Sequence, residues 1–127
     1  IPLFDKVIIA VGINSEKNQY FSIEERMQWI ESVYDNNEKI EIKRYESLAV
    51  DFCKKENANY IIRGLRDSHD FKFEKNIAQM NKKLNPDIET IFIITPPELS
   101  HISSTILREI IKNGGDISEF IPKEINI

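Results

Sequence analysis

Three hydroxyl side chains stand side by side at Ser103, Ser104 and Thr105, where an amphipathic pattern begins. One hydroxyl at a helix start accepts a hydrogen bond from a first-turn N–H group. Three of them, with Arg108 one turn further along, favour an anion, because the first-turn N–H groups and the helix dipole also attract negative charge. The pattern therefore predicts an anion-binding helix start, and a capped helix with surplus serines is the alternative.

Two arginines flank a glycine in the stretch Arg63-Gly64-Leu65-Arg66, which follows a short apolar run. Each arginine presents a rigid planar fork of N–H donors that suits multidentate binding of a phosphate. Gly64 lets the main chain approach a ligand closely. The stretch predicts a phosphate site, and a pair of arginines that serve only structural ion pairs is the alternative.

Lys17 and Glu74 are weaker candidates for the same site. Lys17 lies in a polar loop before a helix, where a lysine taken alone is typical of a solvated surface. Glu74 lies one turn into a predicted helix, where it is either a solvated acid or an acceptor for a base, a ribose or a metal. Lys17 and Glu74 are candidates only because each follows the end of a predicted strand, at the same edge of the sheet as the arginines and the hydroxyls.

Several other kinds of chemistry are excluded by spacing. His69 and His101 have no Cys or His at ligand spacing, so no zinc site is predicted, and no residue is assigned to a metal. The single cysteine, Cys53, excludes an internal disulfide and is predicted to be a small buried residue in a reducing compartment. No Ser-His-Asp catalytic triad is recognisable in the sequence. The cations and hydroxyls instead indicate phosphoryl or nucleotidyl transfer, driven by positioning and charge stabilisation.

Strands and helices alternate along the chain. Apolar or alternating runs predict strands over 6–13, 39–45, 59–64 and 89–95, and amphipathic stretches predict helices over 22–34, 47–57, 70–84 and 103–113. The runs over 6–13, 59–64 and 89–95 are apolar enough to predict strands that are covered on both faces. This order predicts an α/β fold with a parallel sheet, in which ligands bind beyond the carboxyl ends of the strands.

Two helix starts have clear signals. Ser22 and Glu25 have the capping-box spacing, and Asp70 is predicted to be the N-cap of the third helix. One stripe of the third helix is apolar and is expected to pack inward; it consists of Phe73, Ile77, Met80 and Leu84. The pair Gly114-Gly115 is expected to stop the last helix.

The bulk composition describes one globular domain over residues 1–127. Apolar residues make up 41% of the chain and charged residues 30%, as in ordinary soluble proteins. With 17 basic and 21 acidic residues, the chain has no overall attraction to nucleic acid or to an anionic membrane. No apolar run approaches the roughly 18 residues that a membrane span needs.

At this point the motifs resemble a known family. The segments "FDKVIIAVGINSEK", "FSIEER", "YIIRGLRDSHDFKFE", "AQMNKKLNPDIETIF" and "HISSTILREIIKNGGDISEFIP", in this order, closely resemble bacterial phosphopantetheine adenylyltransferase. The resemblance covers essentially the whole chain. It implies a Rossmann-like, doubly wound parallel sheet with helices on both faces.

The resemblance also implies an activity. Members of this family transfer AMP from ATP to 4′-phosphopantetheine, which gives dephospho-coenzyme A and pyrophosphate, with Mg²⁺ as cofactor. The family works in the cytoplasm and is usually a homohexamer. The charge balance and the lack of a long apolar run agree with an enzyme that has no nucleic-acid or membrane partner.

Site residues are carried over motif by motif. Lys17 resembles the lysine that contacts the phosphopantetheine phosphate and steadies the transition state, Arg63 the arginine on the same phosphate, and Ala49 a main-chain contact to the pantetheine arm. The remaining matches are to nucleotide-binding residues; these are Gly64, Leu65, Arg66, Glu74, Leu99, Ser100, His101, Ile102, Ser103, Ser104 and Thr105. Arg66 and Lys17 are the residues that we expect to be catalytic.

The sequence departs from the family pattern at its start. The family opens with a strand that is central in the sheet and with a T-x-G-H motif, whereas residues 1–4 resemble the tail of the helix that follows them. We therefore expect the natural protein to carry an amino-terminal segment before residue 1, and the chain without it to catalyse poorly or not at all. Lys72, where an acid is common, and His101, where an aromatic is common, are smaller departures.

Two alternatives of other kinds stay open. One is a related nucleotidyltransferase that acts on another phosphorylated acceptor, such as nicotinamide mononucleotide or an alcohol phosphate that accepts a cytidylyl group. The other is a non-catalytic nucleotide-binding module, which is favoured if the natural protein also lacks the T-x-G-H motif.

Overall fold

A computed structural model describes residues 2–14 and 19–127. The elements in chain order are β1 (Val7–Gly12), α1 (Ile23–Tyr34), β2 (Ile40–Tyr45), α2 (Ala49–Lys55), β3 (Tyr60–Leu65), α3 (Ser68–Leu84), β4 (Glu89–Ile94), α4 (Ser104–Lys112) and a short 3₁₀ turn, Ser118–Phe120. Each predicted strand and helix is present, with ends that differ by at most two residues. The predicted α/β class is confirmed.

The described strands pair two by two, and both pairs are parallel. β1 pairs with β2, and β3 pairs with β4, each over six residues. A helix connects the strands of each pair, because parallel neighbours need a long crossover connection. The chain forms two compact units, one of Ile1–Glu46 with Ser104–Ile127 and the other of Ser47–Ser103. The single domain over residues 1–127 stays a prediction.

In the first unit, helix ends follow the local signals in the sequence. Ser22 caps α1: its hydroxyl accepts a hydrogen bond from the Glu25 N–H, and the Glu25 carboxylate accepts one from the Ser22 N–H, at 3.1 and 2.8 Å. The predicted capping box is therefore confirmed. After α4 the chain turns at Gly114, whose φ is +73°, and the Gly115 N–H donates to the Ile110 carbonyl at 2.9 Å. This is the predicted glycine stop.

In the second unit, a small buried cluster packs α2 against β3 and the turn before β4. Val50 and Cys53 of α2 pack with Ile88, each less than 9% exposed, and Ala58 and Ile61 contact them. Burial raises the pKa of the Cys53 thiol, which keeps it protonated and unreactive. The prediction that Cys53 is a small buried residue is confirmed.

One expectation about the sheet of β3 and β4 is wrong. These strands were expected to be covered on both faces, but Tyr60, Ile62 and Ile93, which share one face, are 54, 38 and 51% exposed. Side chains alternate along a strand, so the other face is the one that carries Ile61, Arg63 and Phe92. Phe92 meets Phe71 of α3 there, with ring centroids 5.9 Å apart.

The expected orientation of α3 is also wrong. Its apolar stripe is exposed rather than inward, at 63% for Phe73, 39% for Ile77, 60% for Met80 and 58% for Leu84. The half-buried positions on α3 include Asp70, Glu74, Ala78 and Asn81. The physical reason lies in the charges: two of these positions are acids that bind arginines of the strand end, as described below.

The start of α3 requires a third correction. Asp67, and not Asp70, is the N-cap, since its carboxylate accepts a hydrogen bond from the Asp70 N–H at 2.8 Å. Asp70 lies in the first helical turn instead. Among the described helices, none has both the length and the apolar composition to cross a membrane.

Candidate active site

The end of β3 carries the first of two arginine–carboxylate pairs. Arg63 lies on the face of the sheet that packs against α3, and it donates two hydrogen bonds to Glu74. The Nε–Oε2 distance is 3.0 Å and the Nη2–Oε1 distance is 2.6 Å. Such a two-point contact between a guanidinium and a carboxylate is among the stronger hydrogen-bonded arrangements in proteins. The Glu74 side chain is 12% exposed, whereas the Arg63 side chain is 52% exposed and reaches solvent.

The second pair lies directly after the strand. Arg66 donates from Nε and Nη2 to the two carboxylate oxygens of Asp70, at 2.9 and 3.1 Å. The main-chain N–H of Arg66 also donates to Asp70, at 3.1 Å. Asp70 is therefore bound to both the side chain and the main chain of one residue.

These contacts fix the charge states of the second pair. Hydrogen bonds from the Arg66 side chain and main chain lower the pKa of Asp70 to about 2, and Asp70 in turn raises the pKa of Arg66. A charged group that accepts several hydrogen bonds is stabilised in its ionised form. Both groups are therefore charged throughout the range in which proteins work.

The main chain between the arginines approaches the loop that follows β4. The Thr95 N–H donates to the Leu65 carbonyl at 2.8 Å, which continues the pairing of β3 and β4 by one residue. A Cβ placed on Gly64 would lie 3.6 Å from Oγ1 of Thr95, an ordinary contact distance. Gly64 is thus not required by steric crowding in the chain itself, and it leaves open space beside the strand end.

The loop over residues 96–103 consists of tight turns. The Leu99 N–H donates to the Pro96 carbonyl and the Ile102 N–H donates to the Leu99 carbonyl, at 3.0 and 3.1 Å. The Ser100 hydroxyl donates to the Pro97 carbonyl at 2.9 Å. The loop therefore starts beside Gly64 and Leu65 and is held by its own hydrogen bonds.

The hydroxyl cluster at the start of α4 divides between the two units. Ser103 ends the second unit, whereas Ser104 and Thr105 are the first residues of α4 and belong to the first unit. Arg108 donates to the Thr105 hydroxyl at 3.4 Å, one turn along the helix. The predicted neighbourhood of Thr105 and Arg108 is therefore present.

The sequence of this chain is similar to that of proteins whose family is known. The profile of the cytidylyltransferase-like family matches residues 1–110. A phosphopantetheine adenylyltransferase of Cytophaga hutchinsonii is 46% identical over 125 residues, covering 98% of this chain and 83% of the relative. A protein of the same name from Flavobacterium psychrophilum is 46% identical over the whole chain, and one from Leptospira biflexa is 47% identical over 95% of it; these matches cover 83% and 76% of the two relatives.

The chain belongs to the phosphopantetheine adenylyltransferase family. The predicted resemblance is thereby confirmed. The structure adds the local geometry of this family member, in which the first arginine of the "RGLR" motif pairs with Glu74 and the second with Asp70. Gly64 and Leu65, between them, adjoin the start of the loop over residues 96–103.

Other residues that the family resemblance singled out lie elsewhere. Lys17 lies outside the described residues. Ala49 is half-buried at the first position of α2, on a different element from the arginine pairs. In the loop, Leu99 and His101 are exposed, while Ser100, Ile102 and Ser103 are half-buried. The binding roles of all these residues stay predictions.

The sequence reasoning missed Asp67 and Asp70 as members of the site. The signal was present, because Asp70 follows Arg66 by four residues and Asp67 precedes Asp70 by three. The first spacing is that of a helical ion pair and the second is that of a capping residue and its N–H partner. Asp70 fits both roles by spacing, and its bonds to Arg66 leave the cap to Asp67.

The described residues hold no group of three or more His, Cys, Asp or Glu side chains that would enclose a metal ion. Asp70 and Glu74 are each engaged with an arginine. Mg²⁺ commonly retains waters and binds through one or two carboxylates together with substrate phosphates. These two carboxylates therefore fit an Mg²⁺ ion that takes one or two protein ligands and completes its coordination with waters and other groups.

Proposed function

We propose that this protein transfers AMP from ATP to 4′-phosphopantetheine, giving dephospho-coenzyme A and pyrophosphate. The observation that supports this most strongly is the 46% identity, over nearly the whole chain, with relatives named phosphopantetheine adenylyltransferase. In this reaction a phosphate oxygen of 4′-phosphopantetheine attacks the α-phosphorus of ATP. A new P–O bond forms, the bond to the β-phosphate breaks, and pyrophosphate leaves.

Two negatively charged substrates must meet for this reaction, so the protein's main task is to position them and offset their charge. We assign Arg63, Lys17 and the main chain of Ala49 to the phosphopantetheine side. Arg66 is assigned to the ATP phosphates, with Gly64 and Leu65 as main-chain contacts and Glu74 as an acceptor for the nucleotide. The residues from Leu99 to Thr105 are assigned to the adenine and the phosphates, which gives the three adjacent hydroxyls their role.

The two arginine pairs support this assignment. Each guanidinium is already ordered by a carboxylate, so an incoming phosphate meets a fixed fork of donors rather than a mobile side chain. Mg²⁺ is proposed as the cofactor, bound with the ATP phosphates and neutralising part of their charge.

A thermal-shift titration tests the substrate class. ATP, 4′-phosphopantetheine and coenzyme A are added separately to the purified natural protein. All three are expected to raise the melting temperature, because each binds the folded protein and not the unfolded chain. Stabilisation by ATP alone, with no response to either pantetheine compound, would contradict the proposed acceptor.

A second candidate function follows from the match to the cytidylyltransferase-like profile. This is nucleotidyl transfer from another nucleotide or to another phosphorylated acceptor. The same titration separates it when CTP and nicotinamide mononucleotide are included. A larger shift with CTP than with ATP would favour this second candidate.

We also propose that the protein assembles as a homohexamer. The exposed stripe of α3, which consists of Phe73, Ile77, Met80 and Leu84, supports an assembly because exposed apolar patches of this kind mark protein interfaces. Light scattering after gel filtration measures the mass, and Met80→Glu is expected to yield smaller species. A natural protein that elutes as a monomer at micromolar concentration would contradict the assembly.

We further propose that the protein works in the cytoplasm. The sole cysteine, Cys53, is a free buried thiol, which suits a reducing compartment. Fractionation of the source cells, followed by immunodetection, tests this location. Recovery in an extracellular fraction would contradict it.

A further inference from the structure

Asp70 holds Arg66 from two directions at once. Its Oδ2 atom accepts hydrogen bonds from the Arg66 main-chain N–H at 3.1 Å and from Nε at 2.9 Å, and its Oδ1 atom accepts one from Nη2 at 3.1 Å. The main-chain hydrogen bond fixes the position of the Arg66 backbone, and the two side-chain hydrogen bonds fix the position of its guanidinium. Few rotamers of Arg66 satisfy all three bonds together.

Asp70 is itself held in place. Its own main-chain N–H donates to the Asp67 carboxylate at 2.8 Å, and it lies in the first turn of α3, where the helix dipole favours a negative charge. Its side chain is only 19% exposed, against 40% for Arg66. A chain of contacts therefore leads from the helix cap through Asp70 to the guanidinium.

Asp70 binds one edge of the Arg66 guanidinium, and a second edge of the same group is then oriented toward a ligand. The contact uses Nε and Nη2, and the second two-point edge of an arginine is formed by its two terminal nitrogens, Nη1 and Nη2. That second edge matches the spacing of two phosphate oxygens. Because the pKa of Asp70 is lowered to about 2, its carboxylate is ionised at neutral pH and the contact with Arg66 persists there.

We propose that Asp70 is a positioning residue for the ATP subsite, one that presents the second edge of Arg66 to the triphosphate. The proposal rests on the proposed function, which assigns Arg66 to the ATP phosphates. Asp70 acts through Arg66 and does not touch the nucleotide. This distinguishes it from Glu74, which is assigned to a direct contact.

Without Asp70, Arg66 must be ordered each time that ATP binds. Ordering one flexible side chain predicts about a three- to tenfold weaker affinity for ATP. The affinity for 4′-phosphopantetheine is expected to change by less than about twofold, since Arg63 keeps its own partner in Glu74.

The experiment measures dissociation constants for ATP and 4′-phosphopantetheine by calorimetry in variants of the natural protein. Asp70→Asn is expected to weaken ATP binding only, and Asp70→Glu, which retains the charge, is expected to recover part of the loss. Asp87→Asn is the matched control, because Asp87 is an exposed aspartate of the same unit, in the turn before β4. It is expected to leave both constants unchanged.

A double-mutant cycle separates positioning from a merely structural role. In an Arg66→Ala background, Asp70→Asn is expected to have no further effect on ATP affinity. An equal loss in both backgrounds, an equal loss for both substrates, or unchanged ATP affinity would each overturn the proposal. If Asp70→Asn melts below the assay temperature, Asp70→Glu takes its place in the cycle, with a smaller loss expected for ATP alone.

Binding measurements also keep the two proposals apart. A natural protein that binds ATP but forms no dephospho-coenzyme A would contradict the proposed function, while the ATP affinities of the variants would still test Asp70. Normal turnover together with an ATP affinity that Asp70→Asn leaves unchanged would contradict only the positioning role.

Discussion

Replacing Arg63 with alanine tests whether the two arginines serve different substrates. Arg63 is assigned to the phosphate of 4′-phosphopantetheine, and a hydrogen bond between charged groups contributes about 1.5–3 kcal/mol. The Arg63 side chain is 52% exposed, so water screens part of this interaction and the lower end of that range applies. The KM for 4′-phosphopantetheine is therefore expected to rise about ten- to thirtyfold.

The rest of the effect comes from Glu74. In Arg63→Ala this carboxylate, whose side chain is only 12% exposed, loses both of its hydrogen bonds from the guanidinium. Its negative charge then faces an incoming phosphate without compensation, which adds to the loss of acceptor affinity. Because Glu74 is also assigned to the nucleotide, a smaller rise in the KM for ATP, of about two- to threefold, is expected as well.

The assay measures initial rates of pyrophosphate release while one substrate is varied and the other is held saturating. Arg66→Ala is the reciprocal variant and is expected to raise chiefly the KM for ATP. Lys82→Ala is the control, since Lys82 is an exposed cation that pairs with Glu89 and lies on α3, the helix that carries Asp70 and Glu74. Equal increases for both substrates in Arg63→Ala and in Arg66→Ala would refute the division between the arginines.

The remaining predictions concern stability. The pKa of Asp70 is depressed to about 2 in the folded protein, against about 3.9 in an unfolded chain, so its stabilisation is present above that unfolded value and is lost as the pH falls toward 2. The melting temperature of Asp70→Asn is therefore expected to lie below that of the natural protein by a constant amount between pH 5 and 8, and the gap is expected to narrow as the pH falls from about 4 through 2; a gap as wide at pH 2 as at pH 5 would contradict the ion pair. Ser22→Ala removes the hydroxyl that caps α1 and is expected to lower the free energy of unfolding by about 1 kcal/mol in urea titrations, and a change below about 0.3 kcal/mol would contradict the capping role. Ile88→Ala leaves a cavity beside Val50 and is expected to lower the free energy of unfolding by about 2–4 kcal/mol, whereas a loss below 1 kcal/mol would place Ile88 outside the core.

The helices and strands could be predicted because their signals are local. The capping pair of Ser22 and Glu25, the glycines after α4 and the apolar runs each act within a few residues of chain. The same holds for the motif that places two arginines around Gly64. Local chemistry of this kind is legible without any knowledge of tertiary contacts.

The orientation of α3 could not be predicted in the same way. Periodicity identifies the apolar stripe that contains Phe73 and Met80, but it does not say what covers that stripe. The polar face of α3 turns toward the strand instead, because it carries Glu74 and Asp70. These carboxylates pair with Arg63 and Arg66 at the end of β3. The exposed face of β3 and β4 has the same explanation, since an apolar run does not reveal how many of its faces are covered.

The roles of Asp67 and Asp70 illustrate a competition between two valid signals. Both residues are good helix caps, and both lie within reach of the helix start. The bonds between Arg66 and Asp70 decide the outcome, and they depend on the path of the chain after β3. The sequence signals for the two aspartates as the N-cap are equally strong, so only the tertiary structure shows which of them caps α3.

The central claim is that a phosphate oxygen of 4′-phosphopantetheine displaces pyrophosphate from ATP in this protein. Incubation of the natural protein with 4′-phosphopantetheine and ATP labelled at the α-phosphate tests it directly, with ATP labelled at the γ-phosphate in parallel. The label from the α-position is expected in dephospho-coenzyme A, and the label from the γ-position in pyrophosphate. Transfer of the γ-label to the acceptor, or an α-label that stays in free nucleotides, would contradict the claim.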